Sequence, residues 1–188
     1  MKTLLVFASP KENQFGNALP KKCEVLITGI GKLNAALSLS RTLQVKKFER
    51  IVNLGICGSL VSHFDVGEVL AIYRVIEGDR DSFGESLKLN LPSLDQRLPK
   101  AVLVTQDRVI KTTIQKKQVL SMTGEVVDME GFALAKVAYT FKIPFYCLKV
   151  VSDRVNTHSS KTILKNISPC SQKICAHLKS IIEKEERE

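Results

Sequence analysis

The alternation of short, almost wholly apolar segments with segments of helical periodicity constrains the fold of this chain more than any other feature. Apolar runs of about four to eight residues are typical of strands that are buried on both faces. Such runs occupy residues 3–8, 25–28, 51–54, 69–76, 101–105 and 145–152. Between several of them, apolar residues recur at helical spacing. This pattern predicts an α/β protein with a largely parallel sheet.

Length and composition favour one globular domain over residues 1–188. With 44% hydrophobic and 25% charged residues, the chain can build one sizeable core. No change in composition marks a second domain, and residues 183–188 are expected to form a frayed tail. The net charge of +9 raises the question of a nucleic-acid partner. Because the Lys and Arg residues are scattered and Trp is absent, we expect a solvated basic surface and no nucleic-acid partner.

The cysteines and histidines do not follow a disulfide or metal-ligand pattern. The five Cys residues contain no CxxC pair, and the neighbours Cys175 and His177 lack the further ligands of a zinc site. An odd number of Cys residues without a framework is typical of a reducing compartment. The N-terminal apolar run is too short for a signal peptide, and no segment reaches membrane-spanning length. We therefore expect a cytoplasmic protein with no metal ion and no membrane partner.

Two of the apolar runs end in carboxylates. Residues 125–137 predict a strand that passes directly into a helix, with Asp128 and Glu130 at the junction. Two residues apart in a strand, both carboxylates would face one side of the sheet, and Glu130 would lie at the carboxyl end, where ligands bind. Glu130 could equally be an acid that stabilises the start of the helix. A second run, residues 145–152, ends at Asp153, and this repetition favours a functional site.

The connecting segments carry weaker signals. The Gly-x-Gly turn at residues 29–31 suggests an anion site, but it lacks the third glycine of a dinucleotide fingerprint and the ending of a P-loop. Residues 77–98 are polar, and we expect a long loop that has a functional or an oligomer role or is disordered; the sequence does not show whether it closes over a site. A Ser-Pro pair at residues 168–169 is expected to begin the last helix, after a polar loop that contains His158. Glu12, on the first loop, is either a surface acid or a site residue.

Five short stretches, taken in order, carry a resemblance to a known family. They are TGIGKLNAA at residues 28–36, NLGICG at 53–58, DVGE at 65–68, VDME at 127–130 and VSD at 151–153. The chain resembles the superfamily of purine nucleoside phosphorylases and 5′-methylthioadenosine (S-adenosylhomocysteine) nucleosidases. The resemblance implies a single-domain, three-layer α/β fold with a central twisted mixed β-sheet flanked by helices. It also implies a homodimer.

Residues that are missing favour the nucleosidases over the phosphorylases. The phosphorylases of this superfamily have a Gly-Asp-Pro-x-Arg-like phosphate loop and an Arg just before the glycine turn. This chain has SPKE at residues 9–12 and Asn53 at these places. Without guanidinium groups a phosphate dianion would lose its main charge-assisted contacts, so water is the expected nucleophile. By resemblance to the nucleosidases, Glu12 activates that water.

The resemblance also implies roles for the residues at the strand ends. Asp153, with a raised pKa, would protonate or hydrogen-bond N7 of the purine, and Glu130 would accept the ribose hydroxyls and favour positive charge on the sugar. Met129 would pack against the ribose, and no metal or organic cofactor would be needed. At the matching positions, the further residues expected to contact the substrate are Ile56, Val109, Ile110, Ser152 and Phe132. Phe132 has the alternative of being a core residue of its helix.

Departures from the family pattern leave the substrate open. Ile56 replaces a Ser that is common in the methylthioadenosine nucleosidases, Val109 replaces an aromatic residue, and Lys149 replaces an Arg. Gly131 is more similar to the futalosine hydrolases of menaquinone synthesis, although these often have Asn in place of Asp153. We expect hydrolysis of the N-glycosidic bond of a 5′-substituted purine nucleoside. The candidates are methylthioadenosine, S-adenosylhomocysteine, futalosine and aminodeoxyfutalosine.

Two alternatives to a hydrolase follow from the same residues. A phosphorylase with a rebuilt phosphate site would require phosphate and would yield ribose-1-phosphate. A non-catalytic nucleoside-binding homologue would need no group that activates water. The combination of Glu12, Glu130 and Asp153 therefore argues against a binding protein.

Overall fold

The structure is a computed structural model that describes residues 1–79, 87–155 and 159–187. His158 and residues 80–86 of the expected long loop lie outside the described residues. The strands are β1 (Thr3–Phe7), β2 (Cys23–Ile27), β3 (Arg50–Ser59), β4 (Val69–Glu77), β5 (Lys88–Asn90), β6 (Lys100–Thr105), β7 (Val126–Asp128) and β8 (Phe145–Arg154). The helices are α1 (Lys32–Val45), α2 (Thr113–Ser121), α3 (Gly131–Thr140) and α4 (Ser159–Glu185).

The described strands form one mixed sheet in which five strands close into a ring. β1 lies between β2 and β3 and is parallel to both. β3 is parallel to β8 and antiparallel to β7, while β4 is parallel to β6 and antiparallel to β8. The parallel pair of β6 and β7 completes the ring, and β5 adds an outer antiparallel strand to β4. The mixed sheet expected from the resemblance is confirmed.

One residue of β3 brings the two acidic strand ends together. Gly58 is paired with Val127 of β7 on one side and with Asp153 of β8 on the other. The register of β3 and β8 shifts between Cys57 and Gly58, so the strands bend at this point. Asp128, the last residue of β7, therefore lies across β3 from Asp153.

Helices cover both faces of the sheet because the strands are apolar on both sides. From β1, Leu4 and Val6 belong to the core cluster that contains residues of α1 and α3. Leu5 and Phe7 belong to the cluster that contains Cys170, Ile174, Leu178 and Ile182 of α4. This alternation follows from the two-residue period of a strand. It confirms the predicted arrangement of a sheet flanked by helices.

Two predictions about connections are wrong. Residues 77–98 are not a continuous loop, because Glu77 still belongs to β4 and the short strand β5 pairs antiparallel with β4. The last helix begins at Ser159 and contains Pro169 in its interior. An interior proline removes a helical hydrogen bond, and here the residues that follow it are anchored by apolar packing against the sheet. None of the described helices is both long enough and apolar enough to cross a membrane.

The end of α4 is fixed where a frayed tail was expected. The helix continues to Glu185, inside the segment 183–188. Glu185 accepts two hydrogen bonds from the buried guanidinium of Arg50, at 2.9 and 2.6 Å. Arg50 also donates to Thr3 Oγ1 at 2.8 Å. A bidentate pair of this kind fixes the geometry of both side chains, so the end of the helix is tied to the first residues of β1 and β3.

Candidate active site

One cavity of about 400 Å³ collects most of the residues that were predicted for a site. It lies where β3 is flanked by the acidic ends of β7 and β8, and the first loop and α4 form further walls. A volume in this range suits a small-molecule ligand. The predicted residues that line the cavity are Glu12, Ile56, Val109, Ile110, Met129, Glu130, Ser152 and Asp153.

Phe132 is the exception, and the prediction that it contacts a substrate is wrong. Its side chain is buried in the core cluster around α1 and α3, and it is not among the described residues that line the cavity. Its backbone N–H, in the first turn of α3, donates to Thr105 Oγ1 at 2.8 Å. Phe132 is therefore the core residue that the alternative interpretation described.

Glu12 lines the cavity and is held in place by backbone donors. Its Oε2 accepts hydrogen bonds from the N–H groups of Ala8 (3.1 Å) and Ser9 (3.0 Å). Its Oε1 accepts one from the N–H of Ile56 at 3.1 Å. Burial raises the pKa of Glu12, while the positive charge of Lys149 and these backbone donors lower it, and the net direction is upward. Glu12 is thus an oriented carboxylate in a site that increases its basicity.

Gly55 provides the space that this arrangement needs. A Cβ atom at Gly55 would lie 2.8 Å from Glu12 Oε1 and 3.4 Å from Lys149 Nζ. The first distance is too short for any real contact of this kind, so a side chain here would displace the carboxylate. The glycine therefore allows the two charged groups to approach the backbone of β3.

Asp128, rather than Glu130, is the acid that stabilises the start of α3. β7 ends at Asp128, and its Oδ2 accepts a hydrogen bond from the N–H of Gly131, the first residue of α3, at 2.8 Å. Its Oδ1 accepts the hydroxyl of Thr105 at 2.6 Å. Asp128 and Glu130 both line the cavity. However, β7 ends at Asp128, so the two-residue period of a strand is not the reason why both side chains face the cavity. Asp128 therefore stabilises the start of the helix, the alternative role that the sequence offered for Glu130.

Glu130 faces the cavity with a carboxylate that is fixed from one side. Its Oε1 accepts a hydrogen bond from the N–H of Gly31 at 2.8 Å, in the turn before α1. No hydrogen bond to its Oε2 occurs within the described part of the chain. Burial, and then the negative charge of Asp128, raise the pKa of Glu130 to about 7. The second oxygen can therefore accept a hydrogen bond from a ligand.

Lys149 is a buried cation that the sequence patterns did not assign to the site. Its Nζ lies 2.8 Å from Asp128 Oδ2, and the two side chains are only 3% and 2% exposed. Burial lowers the pKa of Lys149, but the negative charges of Asp128 and then Glu130 raise it more, so the ammonium is retained. The signal in the sequence was a single charge within the apolar run of residues 145–152. A charge in a buried strand requires a partner at the same depth.

Asp153 belongs to β8 and is buried beside Ser152. The hydroxyl of Ser152 lies 2.8 Å from Asp153 Oδ1 and 3.2 Å from the carbonyl oxygen of Cys57, so it can donate to either. The carbonyl oxygen of Ser152 accepts a hydrogen bond from Asn166 Nδ2 of α4 at 2.7 Å. The end of β8 is thereby fixed to α4, and Asp153 is presented to the cavity from the side opposite Asp128.

The remaining walls are apolar, and several of their residues were not predicted. Ile163, Leu164 and Ile167 of α4 line the cavity, as does Ile30 from the turn before α1. The α4 residues were missed because the helix was expected to begin only at residue 168. Their spacing along one face of a helix is the signal that could have identified them. Together with Val109 and Ile110 they form an apolar wall of the cavity.

No group of His, Cys, Asp and Glu side chains with the geometry of a metal site occurs among the residues that the structure describes. All five cysteines are free thiols. His177 Nε2 lies 3.3 Å from Asp95 Oδ2. Among the described residues it is not part of a cysteine-containing ligand set such as a structural zinc site has.

Comparison with known proteins identifies the family. A sequence profile described as the Phosphorylase superfamily matches residues 14–183. The chain belongs to this superfamily. A 5′-methylthioadenosine/S-adenosylhomocysteine nucleosidase of Listeria monocytogenes serotype 4a is 30% identical over 173 residues, which cover 77% of this chain and 74% of the relative. The resemblance drawn from the five sequence stretches is confirmed.

Solved structures agree with this assignment at the level of the fold. A 5′-methylthioadenosine/S-adenosylhomocysteine nucleosidase from Helicobacter pylori, solved with butyl-thio-DADMe-Immucillin-A, superposes on this superfamily member with a TM-score of 0.88. The identity is 16%, and the match covers 98% of this chain and 99% of that chain. A futalosine hydrolase of the same species superposes with a TM-score of 0.88 at 17% identity, covering 98% of each chain.

Proposed function

We propose that this protein is a nucleosidase that hydrolyses the N-glycosidic bond of a 5′-substituted purine nucleoside and releases the free base. The observation that carries the proposal is the placement of Glu12, Glu130 and Asp153 around one cavity. Two of these carboxylates are oriented by backbone N–H donors. A 30% identical relative that is named as a nucleosidase supports the same reaction.

In this proposal each carboxylate has one role. Glu12 accepts a proton from water as the water oxygen forms a bond to C1′ of the ribose. The bond between C1′ and the base breaks, and the electron pair leaves with the base. Asp153 donates a proton to N7 of the departing purine, so the base leaves as a neutral molecule. Glu130 accepts hydrogen bonds from the ribose hydroxyls, and Met129 packs against the sugar.

Electrostatics favour water over phosphate as the nucleophile. Glu12 and Glu130 both line the cavity, and the negative charge of Glu12 is among the causes that raise the pKa of Glu130. A phosphate dianion in the cavity would face two carboxylates, and like charges oppose binding. Lys149, the buried cation behind them, is paired with Asp128. The phosphorylase alternative is therefore not favoured.

The apolar wall supports a substrate whose 5′ substituent has an apolar portion next to the ribose. Ile30 lies directly before Gly31, whose N–H holds Glu130, so an apolar side chain adjoins the expected ribose position. Ser152, Val109 and Ile110 would contact the base, and Ile56 would contact the sugar. Methylthioadenosine, S-adenosylhomocysteine, futalosine and aminodeoxyfutalosine all have a 5′ substituent, and they are the candidate substrates. The first two would place the enzyme in methionine salvage and the last two in menaquinone synthesis.

We further propose that the protein is a cytoplasmic homodimer. Ile30, Leu33 and Leu37 form an apolar stripe that is 60%, 71% and 47% exposed, and Val109 at the cavity mouth is 52% exposed. Contiguous apolar surface of this kind is typical of protein interfaces. Five free thiols are compatible with a reducing compartment. Sedimentation of the purified protein tests the dimer, and a monomer at micromolar concentration would contradict it.

The function is tested by incubating the protein with a panel of 5′-substituted purine nucleosides, with and without phosphate, and measuring the free base. We expect the free base and the 5-substituted ribose without phosphate, and loss of turnover in Glu12→Gln and Asp153→Asn. The control Glu183→Gln changes a half-exposed carboxylate far from the cavity and should leave turnover unchanged. Strict dependence on phosphate, or full activity of both site variants, would refute the assignment.

A further inference from the structure

The N-terminus of α1 is capped by carboxylates from other parts of the chain. Gly31 occupies the N-cap position and has no side chain to satisfy the free N–H groups of the first turn. The N–H of Gly31 donates to Glu130 Oε1 at 2.8 Å, and the N–H of Lys32 donates to Asp107 Oδ1 at 2.9 Å. Two acids that lie 99 and 75 residues away in sequence therefore replace the missing cap.

Asp107 is also bound to the end of β4, which closes a ring of contacts. Its own N–H donates to Asp79 Oδ2 at 2.8 Å. Asp79 forms an ion pair with Lys32 Nζ, and Lys32 Nζ lies 3.4 Å from Glu77. The ring joins the start of α1, the end of β4 and the loop after β6. That loop continues into Val109 and Ile110, which line the cavity.

The turn before α1 can adopt its conformation only with glycine. Gly31 has a φ of +96°, in the region that L side chains rarely adopt. A Cβ atom at this position would lie 3.1 Å from Asp107 Oδ1, so the carboxylate approaches the backbone closely. Asp107 and the turn are thus fitted to each other, and a movement of Asp107 changes the direction of the N–H groups that follow Ile30.

We propose that Asp107 is a positioning residue: by capping α1 it fixes the turn whose Gly31 N–H orients Glu130, and it fixes the loop that carries Val109 and Ile110. Asp107 is not among the described residues that line the cavity, so it acts through these neighbours. The contacts do not depend on the identity of the substrate. The kinetic part of the test rests on the proposed function, whereas the structural part does not.

The test compares Asp107→Ala, which removes the acceptor, with Asp107→Asn, which keeps an oxygen acceptor in place. Amide hydrogen exchange by NMR measures the N–H groups of Gly31 and Lys32 separately. We expect Asp107→Ala to speed exchange at both amides, although the acceptor of Gly31 is the unchanged Glu130. Asp107→Asn should restore slow exchange. Faster exchange at Lys32 alone would show that Asp107 is only a helix cap, and the proposal would fail.

Kinetics with methylthioadenosine supply the second measurement. Asp107→Ala should lower kcat/KM by about 10- to 100-fold, as expected for a misplaced site group, and Asp107→Asn should recover most of it. Thr112→Ala is the matched control, because it removes the side-chain cap of α2, which does not line the cavity. Unchanged kcat/KM in Asp107→Ala would overturn the proposal.

The experiments distinguish a failure of the proposed function from a failure of the role proposed for Asp107. If the wild-type protein cleaves none of the nucleosides, the proposed function fails, and the exchange of the Gly31 amide still decides the role of Asp107. If Asp107→Ala does not fold, Asp79→Ala replaces it, because Asp79 accepts the N–H of Asp107 without touching Gly31. This variant should also speed exchange at Gly31, and unchanged exchange would refute the proposed ring.

Discussion

Lys149→Met should destabilise the protein by about 3–5 kcal/mol, because it leaves a buried carboxylate without its counter-charge. Lys149 Nζ lies 2.8 Å from Asp128 Oδ2, and the side chains are 3% and 2% exposed. After the substitution Asp128 keeps the hydroxyl of Thr105 and the N–H of Gly131. These donors orient the carboxylate but do not neutralise it, and the nearby Glu130 adds further negative charge.

Urea denaturation of four proteins measures the effect: wild type, Lys149→Met, Asp128→Asn and the double variant. Each single substitution leaves one buried charge unpaired, so each should cost about 3–5 kcal/mol. The double variant leaves neither charge, and its loss should be clearly smaller than the sum of the single losses. Lys46→Met is the control, since its ion pair with Glu24 is exposed and should contribute little to the free energy of unfolding.

Two results would contradict the importance of the buried pair. A loss for Lys149→Met as small as that for Lys46→Met would show that water or protonation compensates the unpaired Asp128 at little cost. Additive losses in the double variant would show that the two groups stabilise the fold independently, in spite of the 2.8 Å contact.

Three further substitutions test other parts of the structure. Gly55→Ala should lower kcat by about 10- to 100-fold in steady-state kinetics, because its Cβ would lie 2.8 Å from Glu12 Oε1 and displace it; an unchanged kcat would contradict this. Since the pKa of Glu130 is raised to about 7, kcat/KM should fall below pH 7, and Glu130→Gln should change this limb of the pH profile and leave the contribution of Glu12, whose pKa is also raised. The folded state then binds more protons than the unfolded state, so the unfolding free energy contributed by this group should decrease as pH rises to about 7. Glu185→Gln should cost about 1–3 kcal/mol in denaturation experiments, because it weakens two hydrogen bonds to the buried Arg50.

Apolar periodicity predicted the strands other than β5, but not where all of them end. The sequence indicated that one strand would stop at residue 54, yet β3 continues to Ser59. Gly55 and Gly58 have weak strand propensity, and the ladder with β8 overrides it. In the same way Asp153 was placed after its strand, although it is paired with Gly58 inside the sheet. Pairing partners from distant parts of the chain set these ends, and no local pattern contains them.

Site residues that belong to a sequence motif could be predicted, whereas residues whose role depends on a contact with another element could not. Eight of the nine predicted residues line one cavity, although their individual roles stay predictions. Lys149 and Asp107 could not be assigned, because their significance lies in contacts with Asp128 and Lys32, from other elements. Phe132 was misplaced because a position next to a motif does not determine on which side of a helix the side chain lies.

The charges around the cavity favour a positively charged transition state over a neutral substrate. Lys149 is paired with Asp128, whereas Glu12 and Glu130 are held by backbone N–H groups, which orient a carboxylate without supplying a full charge. A neutral nucleoside gains little from such carboxylates, but an oxocarbenium-like ribose gains from charges that are already in position.

Because Glu130 has no paired cation among the described residues, Glu130→Gln should weaken the binding of a charged ligand more than the binding of a neutral one. Binding of a nucleoside analogue with a protonated amine in place of the ribose ring should weaken by at least about 10-fold more than binding of its neutral counterpart, because only the charged ligand resembles the transition state. Isothermal titration of both analogues on both proteins gives the four dissociation constants. The control Glu183→Gln removes a half-exposed carboxylate and should leave the dissociation constants of both analogues unchanged. Equal weakening for the two analogues would mean that Glu130 contributes hydrogen bonds to the ribose but no charge stabilisation to the reaction.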